Sequence, residues 1–328
     1  MKIPPRLTGA VALAAAAAVL APTGAVAKKP SAQGKKAAPV QYYVSLGDSY
    51  ASGYQPPAAG AAAGNTREGF VYQLPAFAAR RGWKLRVVNF ACGGATTTSI
   101  LEQKDCAPPA LGPGARNYGG KTQIEAAEAF LKKNRKNVGL ITVSIGGNDV
   151  TGCVREQATA ITCVAGAIRP LGANVRTLVR RLRKAAGPNV RIVGTTYPDV
   201  ILGMLLTPGG ELLGRLSVDA FRSMINPTLA NAYREVGGSF VDVTAATGAY
   251  TPLDQTTTVE GLGTIPVAVA KVCDLTWFCA AQDIHARKSG YTIIADLVAR
   301  TLPKNGQRSA PAARGRRGRA RRGAGKKK

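Results

Sequence analysis

The chain has 328 residues, 45% of them hydrophobic, and its 44 Lys and Arg against 18 Asp and Glu give a formal net charge of +26. Eleven basic residues follow residue 303 and six precede residue 39, with no acid in either segment, so the part between carries only +9. One histidine, no C-x-x-C pair and no clustered carboxylates argue against zinc or another catalytic metal.

Residues 1–27 are typical of a secretory signal peptide. Lys2 and Arg6 precede the apolar run "VALAAAAAVL", and "AVA" at 25–27 offers small residues for cleavage. The run is too short and too rich in alanine to predict a membrane span, although an uncleaved anchor is the alternative. We therefore expect a secreted protein, in which residues 28–38 form a disordered basic linker.

Strands and helices alternate through residues 39–303, a length acceptable for one α/β domain. The sequence predicts strands at residues 42–48, 84–91, 138–149, 189–198 and 239–244. It predicts helices at residues 68–81, 124–134, 166–186, 218–237 with a break near Pro227, and 289–302 with Ser289 as N-cap. Residues 245–282 have no clear periodicity. This alternation predicts a parallel sheet flanked by helices.

Three of the predicted strands end in glycines and polar residues. These ends are "GDS" at 47–49, "GG" at 93–94 and "GGND" at 146–149. Ligands of such sheets bind beyond the carboxyl ends of the strands. We therefore expect these three segments to lie along one edge of the sheet.

Six cysteines in an exported chain indicate disulfides. Fifteen pairings are possible, and the short spacings favour neighbours, with zinc as the disfavoured alternative. The favoured pairs are Cys92–Cys106, Cys153–Cys163 and Cys273–Cys279.

The residues at the predicted edge are those that acyl transfer by serine requires. The reaction needs a nucleophile, a base within hydrogen-bond reach, a group that orients the base, and donors for the oxyanion. Ser49 follows a strand and is placed to open a helix, Gly94 permits close approach of the backbone, and Asn148 offers a neutral amide. His285 is the only imidazole in the chain.

The same residues carry a family resemblance. The segments "GDSYASGY", "NFACGGATT", "GGND" and "DIHARKSGY" resemble, in order, the sequence blocks of the SGNH, or GDSL-type, hydrolases, and the chain looks most like their secreted actinobacterial esterases and lipases. The resemblance implies a flavodoxin-like α/β/α sandwich. It also implies Ser49 as nucleophile, His285 as base, and an oxyanion hole formed by the N–H groups of Ser49 and Gly94 with the Asn148 amide.

One position departs from the family pattern. The family places an aspartate three residues before the histidine, where this chain has Gln282, while Asp283 lies two residues before it. Two arrangements follow: Asp283 reaches the imidazole as the triad acid, which we slightly favour, or a main-chain carbonyl near Gln282 orients a Ser–His dyad. Trp277 and Phe278 line an acyl pocket or pack around the neighbouring disulfide.

The expected function is a secreted serine esterase or lipase that acts as a monomer on small-molecule or lipid esters. No phosphate-binding or dinucleotide-binding glycine motif is present, so no cofactor is expected. The alternatives are a deacylase of carbohydrate or envelope polymers and a non-catalytic envelope-binding protein.

Residues 304–328 are predicted to be a disordered basic tail. Such a tail suits contact with the anionic cell envelope, and secretion makes nucleic acid an unexpected partner. The alternative is a solvated tail without a function.

Overall fold

The computed structural model describes residues 39–57, 62–155 and 158–306. The predicted signal peptide at 1–27 and linker at 28–38 lie outside these residues, as does residue 307 onward. The described structure ends in a 3-10 helix at Lys304–Gly306, which comprises the first three residues of the predicted tail. Pro303 lies just before this helix, and its carbonyl accepts the indole N–H of the buried Trp83 at 2.8 Å. This bond attaches the end of the described chain to the domain.

The strands form one central sheet and two small hairpins. The strands are β1 (Val40–Gly47), β2 (Tyr54–Gln55), β3 (Gly64–Asn65), β4 (Lys84–Asn89), β5 (Val138–Ser144), β6 (Arg191–Thr195), β7 (Ser239–Val241), β8 (Thr256–Val259) and β9 (Gly263–Pro266). The central sheet has the order β4-β1-β5-β6-β7 and is parallel throughout. The pairs β2–β3 and β8–β9 are antiparallel.

The helices connect these strands. They are α1 (Ser49–Ser52), α2 (Phe70–Ala79), α3 (Ser99–Glu102), α4 (Gln123–Asn134), α5 (Gly147–Thr151), α6 (Ala160–Ala186), α7 (Glu211–Asp219), α8 (Asn226–Glu235), α9 (Val243–Ala246), α10 (Val267–Leu275), α11 (Phe278–Ala281) and α12 (Lys288–Arg300). A π-helical segment, Ala220–Ile225, joins α7 to α8. Among the described residues, no helix is both long enough and apolar enough to span a bilayer.

Alternate side chains of the central strands enter separate hydrophobic clusters. Val44 and Leu46 of β1 pack with residues of α4, α6 and α8, whereas Tyr43 packs with residues of α2 and α12. All seven residues of β5 are buried, as expected for a parallel strand covered on both faces. The predicted α/β/α sandwich is confirmed.

Several predicted boundaries were wrong for local reasons. Strand β5 ends at Ser144 instead of continuing to 149, because Gly146 has φ +110 and turns the chain into α5. Helix α6 was predicted to begin at residue 166 but begins at Ala160. A disulfide between Cys163, in its first turn, and Cys153 joins this start of the helix to the preceding segment.

The predicted break near Pro227 is a change of helix type. The helical run is continuous from Glu211 to Glu235, and its π-helical segment lies directly before the proline. A proline ring clashes with the carbonyl one turn earlier in a regular α-helix, and a wider π-turn relieves that clash.

Ser289 is not the N-cap of the last helix, as the sequence analysis predicted. The helix begins at Lys288 with Arg287 as its cap residue. Arg287 is held there because its N–H donates to the Leu275 carbonyl at 2.9 Å. Residues 245–282, which showed no periodicity, contain the β8–β9 hairpin, α10 and α11.

The adjacent strands β4, β1 and β5 bring the three polar segments to one edge, as predicted. The close approach of β1 and β5 requires glycine at position 47. Gly47 has φ +138, and a Cβ there would overlap the Ser144 carbonyl oxygen.

Candidate active site

Ser49 is the first residue of α1, directly after β1. Asp48 caps this helix, because its Oδ1 accepts from the Tyr50 N–H at 3.0 Å. Among the described residues, the Ser49 N–H has no hydrogen-bond partner. The Ser49 side chain and its N–H are therefore presented together at the edge of the sheet.

His285 lies between Ser49 and Asp283. Its Nε2 is 2.8 Å from Ser49 Oγ, and its Nδ1 is 2.7 Å from Asp283 Oδ1. The Tyr54 ring lies 4.4 Å from the imidazole, centroid to centroid. Of the two arrangements considered from the sequence, the structure has the one in which the Asp283 carboxylate contacts the imidazole.

A local turn directs Asp283 to the histidine although the family spacing is changed. Asp283 Oδ1 also accepts the backbone N–H of His285 at 2.9 Å, so the carboxylate folds back on the residue two positions later. Burial alone would raise the pKa of Asp283, but its hydrogen bonds and charge interaction with His285 leave that pKa below its ordinary value. Gln282, with φ 52, ends α11 just before this turn.

The segment that carries His285 is held by hydrogen bonds that involve Trp277 and Gln55 of β2. The Trp277 N–H donates to the His285 carbonyl at 2.9 Å, and the Trp277 indole donates to Gln55 Oε1 at 2.7 Å. Gln55 in turn donates to the Ala286 carbonyl at 3.0 Å. Trp277 therefore packs behind the histidine, whereas Phe278 lines a cleft beside Asp283.

The segments that follow β4 and β5 are tied together at the predicted oxyanion hole. Asn148 Nδ2 donates to the Ala95 carbonyl at 2.9 Å, which leaves the second N–H of this amide for another acceptor. Asp149 accepts from the Thr97 N–H at 2.9 Å and from its hydroxyl at 2.5 Å. These bonds set the position of the loop that contains Gly94.

Gly94 is in the left-handed region with φ +80, which favours glycine. Among the described residues, its N–H has no hydrogen-bond partner. Ser49 and Asn148 line one cleft, while Gly94 lines a different one together with Gln123.

Tyr197 is a site residue that the sequence analysis missed. Its hydroxyl donates to Asp48 Oδ2 at 2.6 Å, and its ring packs edge to face on Tyr50, which donates to the Ile284 carbonyl at 2.6 Å. Burial raises the pKa of Asp48 to about 7, even though the hydrogen bonds from Tyr197 and Tyr50 act to lower it. The position of Tyr197 just after β6, at the same edge of the sheet, is the signal that could have identified it.

The cysteines form the three disulfides that the spacing favoured, Cys92–Cys106, Cys153–Cys163 and Cys273–Cys279. Within the described ranges, no group of three or more His, Cys, Asp or Glu side chains is placed to hold a metal ion.

A cleft at Ser49 continues in two directions. This Ser49 cleft is lined by Ser49, Asn148, Tyr197 and Ile284, among others. Through Ile201 it adjoins both an apolar cavity of about 270 Å³ beside α7 and a more polar cleft of about 500 Å³ beside Asp283.

The model of the GDSL-like lipase/acylhydrolase family matches residues 45–293. The chain belongs to this family. All four sequence blocks that suggested the resemblance lie inside the matched range. This member of the GDSL-like family is therefore a carboxylic ester hydrolase, and its Ser49, Gly94, Asn148 and His285 lie within the matched range.

Solved structures similar to this family member include lipases. Phospholipase A1 from Streptomyces albidoflavus NA297 is 19% identical, with a TM-score of 0.40 over 64% of this chain and 82% of that one. The lipase Lip_vut3 from a goat rumen metagenome is 13% identical, with a TM-score of 0.48 over 81% of this chain and 100% of that one. An extracellular lipase from Streptomyces rimosus is 18% identical, with a TM-score of 0.41 over 71% of this chain and 99% of that one.

At these identities and scores the structural matches carry no argument about activity. A comparison with curated proteins gives no match. The family assignment rests on the family model.

Proposed function

We propose that this chain is a secreted serine esterase or lipase that forms an acyl-enzyme on Ser49, with His285 as base and Asp283 as the group that orients it. The observation that carries the proposal is the position of His285, 2.8 Å from Ser49 Oγ and 2.7 Å from Asp283 Oδ1. These are hydrogen-bond distances between a nucleophile, a base and a carboxylate.

The first half of the reaction transfers the acyl group to the enzyme. Asp283 accepts the Nδ1 proton of His285, which leaves Nε2 as the acceptor for the Ser49 hydroxyl proton. Ser49 Oγ forms a bond to the ester carbonyl carbon while Nε2 takes the proton. The carbon–oxygen bond to the alcohol then breaks, and the alcohol oxygen takes that proton from Nε2.

The second half releases the acid. Water attacks the acyl carbon, and His285 Nε2 takes a proton from the water. The bond between the acyl carbon and Ser49 Oγ then breaks, and Oγ regains the proton. The carboxylic acid leaves, and both side chains return to their starting states.

Three donors stabilise the negative oxygen in both halves. The N–H groups of Ser49 and Gly94 are without partners among the described residues, and Asn148 keeps one amide N–H beyond its bond to Ala95. Preorganised donors of this kind stabilise a tetrahedral intermediate more than the planar ester.

Export agrees with the three disulfides, which persist in oxidising compartments. In this proposal residues 1–27 are a signal peptide, residues 28–38 a linker, and residues 39–303 the hydrolase domain. The basic residues of the 304–328 tail then hold the monomeric enzyme near the anionic envelope.

The test is hydrolysis of p-nitrophenyl esters by the protein beginning at Lys28. Ser49→Ala and His285→Ala should each lose at least 10³-fold in kcat, as removal of a nucleophile or base does elsewhere. Ser289→Ala is the matched control, since Ser289 is exposed on α12 away from Ser49. Full activity in Ser49→Ala, or no hydrolysis by the wild-type protein, would overturn the proposal.

A further inference from the structure

The Ser49 cleft opens into two compartments of different character. The apolar cavity, of about 270 Å³, lies between the first turns of α6 on one side and α7 with the π-helical segment Ala220–Ile225 on the other. It shares Val150, Ile201, Phe221 and Ile225 with the Ser49 cleft. The two are therefore continuous through apolar side chains.

The second compartment lies on the histidine side. This polar cleft, of about 500 Å³, is lined by polar residues, among them Asn148, Gln282 and Asp283, and by as many apolar residues, among them Met204 and Phe278. It adjoins the Ser49 cleft at Ile284, the residue between Asp283 and His285. Among the described residues, none of this segment lines the apolar cavity.

The chemistry of ester cleavage distinguishes the two compartments. The leaving alcohol receives its proton from His285 Nε2, so it has to lie on the side of the histidine segment. The acyl carbon stays bonded to Ser49 Oγ, and its chain extends away from the leaving group. The alcohol side therefore corresponds to the polar cleft, and the acyl side to the apolar cavity.

We infer that the apolar cavity binds the aliphatic chain of the acyl group and that the polar cleft binds the alcohol. The preferred substrate class is then an ester of a medium-chain or long-chain aliphatic acid with a polar alcohol. This inference rests on the proposed function, because it takes Ser49 as nucleophile and His285 as base.

The walls of the cavity suit a chain. Val164, Leu213, Phe221 and Ile225 present apolar side chains, and the one buried hydroxyl on the wall, that of Ser217, already donates to Asp199 at 2.7 Å. An apolar cavity of about 150 Å³ lined by such residues stays dry and binds benzene. The cavity beside α7 is larger, and its polar lining residues Asp219 and Ser223 are exposed, so its apolar interior accepts several methylene groups.

The mouth of the cavity is also apolar. Four of the six exposed large hydrophobic side chains among the described residues lie on its walls or one helical turn away. These are Ile161, Leu212, Leu216 and Met224. A chain longer than the cavity therefore keeps apolar contacts as it leaves it.

The first measurement is kcat/KM of the wild-type protein for p-nitrophenyl acetate, butyrate, hexanoate and octanoate, which share one alcohol. Each buried methylene group should raise kcat/KM about fourfold until the cavity is filled, since burial of one methylene stabilises binding by a corresponding amount. A decrease in kcat/KM from acetate to octanoate would overturn the inference, whatever the variants do.

Two substitutions fill the cavity from positions outside the Ser49 cleft. Ala165→Trp and Ala220→Phe should each lower the octanoate-to-acetate ratio of kcat/KM at least tenfold. Gly166→Trp is the matched control, because Gly166 is exposed on α6, outside the cavity lining, with open space where its Cβ would be. An unchanged ratio in both filling variants would overturn the inference.

A substitution in the polar cleft tests whether this cleft binds the alcohol. Thr207→Phe should lower turnover of esters with a bulky alcohol relative to methyl esters of the same acid, with the octanoate-to-acetate ratio preserved. A change in the acyl ratio instead would reverse the assignment of the two compartments. Loss of the proposed function itself would be recognised separately, as ester hydrolysis that persists in Ser49→Ala.

Discussion

A single oxygen of Asp283 contacts His285 twice, at the backbone N–H, 2.9 Å away, and at the imidazole Nδ1, 2.7 Å away. The backbone bond holds the carboxylate in a tight turn, and the turn directs it to the ring. A spacing of two residues therefore places an acid beside the imidazole although the family pattern has three.

We expect Asp283→Asn to lower kcat/KM about 10²–10⁴-fold. An asparagine keeps the shape but can present its amide N–H to Nδ1, which favours the wrong imidazole tautomer, and loss of the charge destabilises the imidazolium. Hydrolysis of p-nitrophenyl butyrate checks this, with the exposed Asp254→Asn as control. Activity within a few-fold of wild type would show that a main-chain carbonyl orients His285.

Asn148→Ala should lower kcat about 10²–10³-fold with little change in KM. Removal of one oxyanion donor costs about 2.7–4 kcal/mol, and the cost falls on the transition state. Asn134→Ala is a suitable control, because Asn134 donates to the Phe130 carbonyl within α4 and not to the loops that follow β4 and β5. A rise in KM without a fall in kcat would contradict the role of Asn148 as an oxyanion donor.

Asp48 should make the free energy of unfolding depend on pH. Burial raises its pKa to about 7 in the folded protein, whereas the unfolded chain releases the proton near pH 4. Between these values the folded state binds a proton that the unfolded state has lost, so stability falls as pH rises, by at most about 1.4 kcal/mol per pH unit. Above pH 7 the buried carboxylate is charged, and the stabilisation is gone.

Urea unfolding of Asp48→Asn between pH 4.5 and 7.5 should therefore show a shallower decline than the wild-type protein. Asp199 provides a comparison that does not line the Ser49 cleft, since burial raises its pKa to about 7 as well. Asp199→Asn should reduce the pH dependence of the free energy of unfolding by a similar amount. The double variant should reduce it more than either single variant. A slope unaltered in Asp48→Asn would contradict the assigned pKa.

The disulfide next to the histidine segment should affect both stability and turnover. Replacing Cys273 and Cys279 together by serine should lower the free energy of unfolding by about 2 kcal/mol, the value expected for a short loop. Because this disulfide joins α10 to α11, just before Asp283, kcat for an acetyl ester should fall too.

The Cys153–Cys163 disulfide closes a comparable loop away from His285 and is the control. Its double serine variant should lose similar stability but keep kcat for the acetyl ester. Equal kcat losses in the two double variants would indicate a general loss of folded protein rather than a displaced histidine.

Much of the fold was predictable because it depends on local patterns. The alternation of apolar strands and helices led to the parallel sheet, and the glycine and polar ends of three strands led to the shared edge. The predicted boundaries of helices and strands were wrong where tertiary contacts overrode a local pattern. The apolar run at 138–149 continues past the strand end. Ser289 is a good cap residue, but the hydrogen bond from the Arg287 N–H to the Leu275 carbonyl makes Arg287 the cap instead.

The sequence by itself determined which chemical groups are available: one imidazole, a serine after the first strand, an amide after the third, and six cysteines in three closely spaced pairs. The tertiary structure decided how they meet. Ser49 and His285 are 236 residues apart in the chain, and Tyr197 and Asp48 are 149 apart. Contacts over such separations depend on the packing of whole helices and loops, which no short pattern encodes. For the same reason, no motif in the sequence predicts the apolar cavity beside α7.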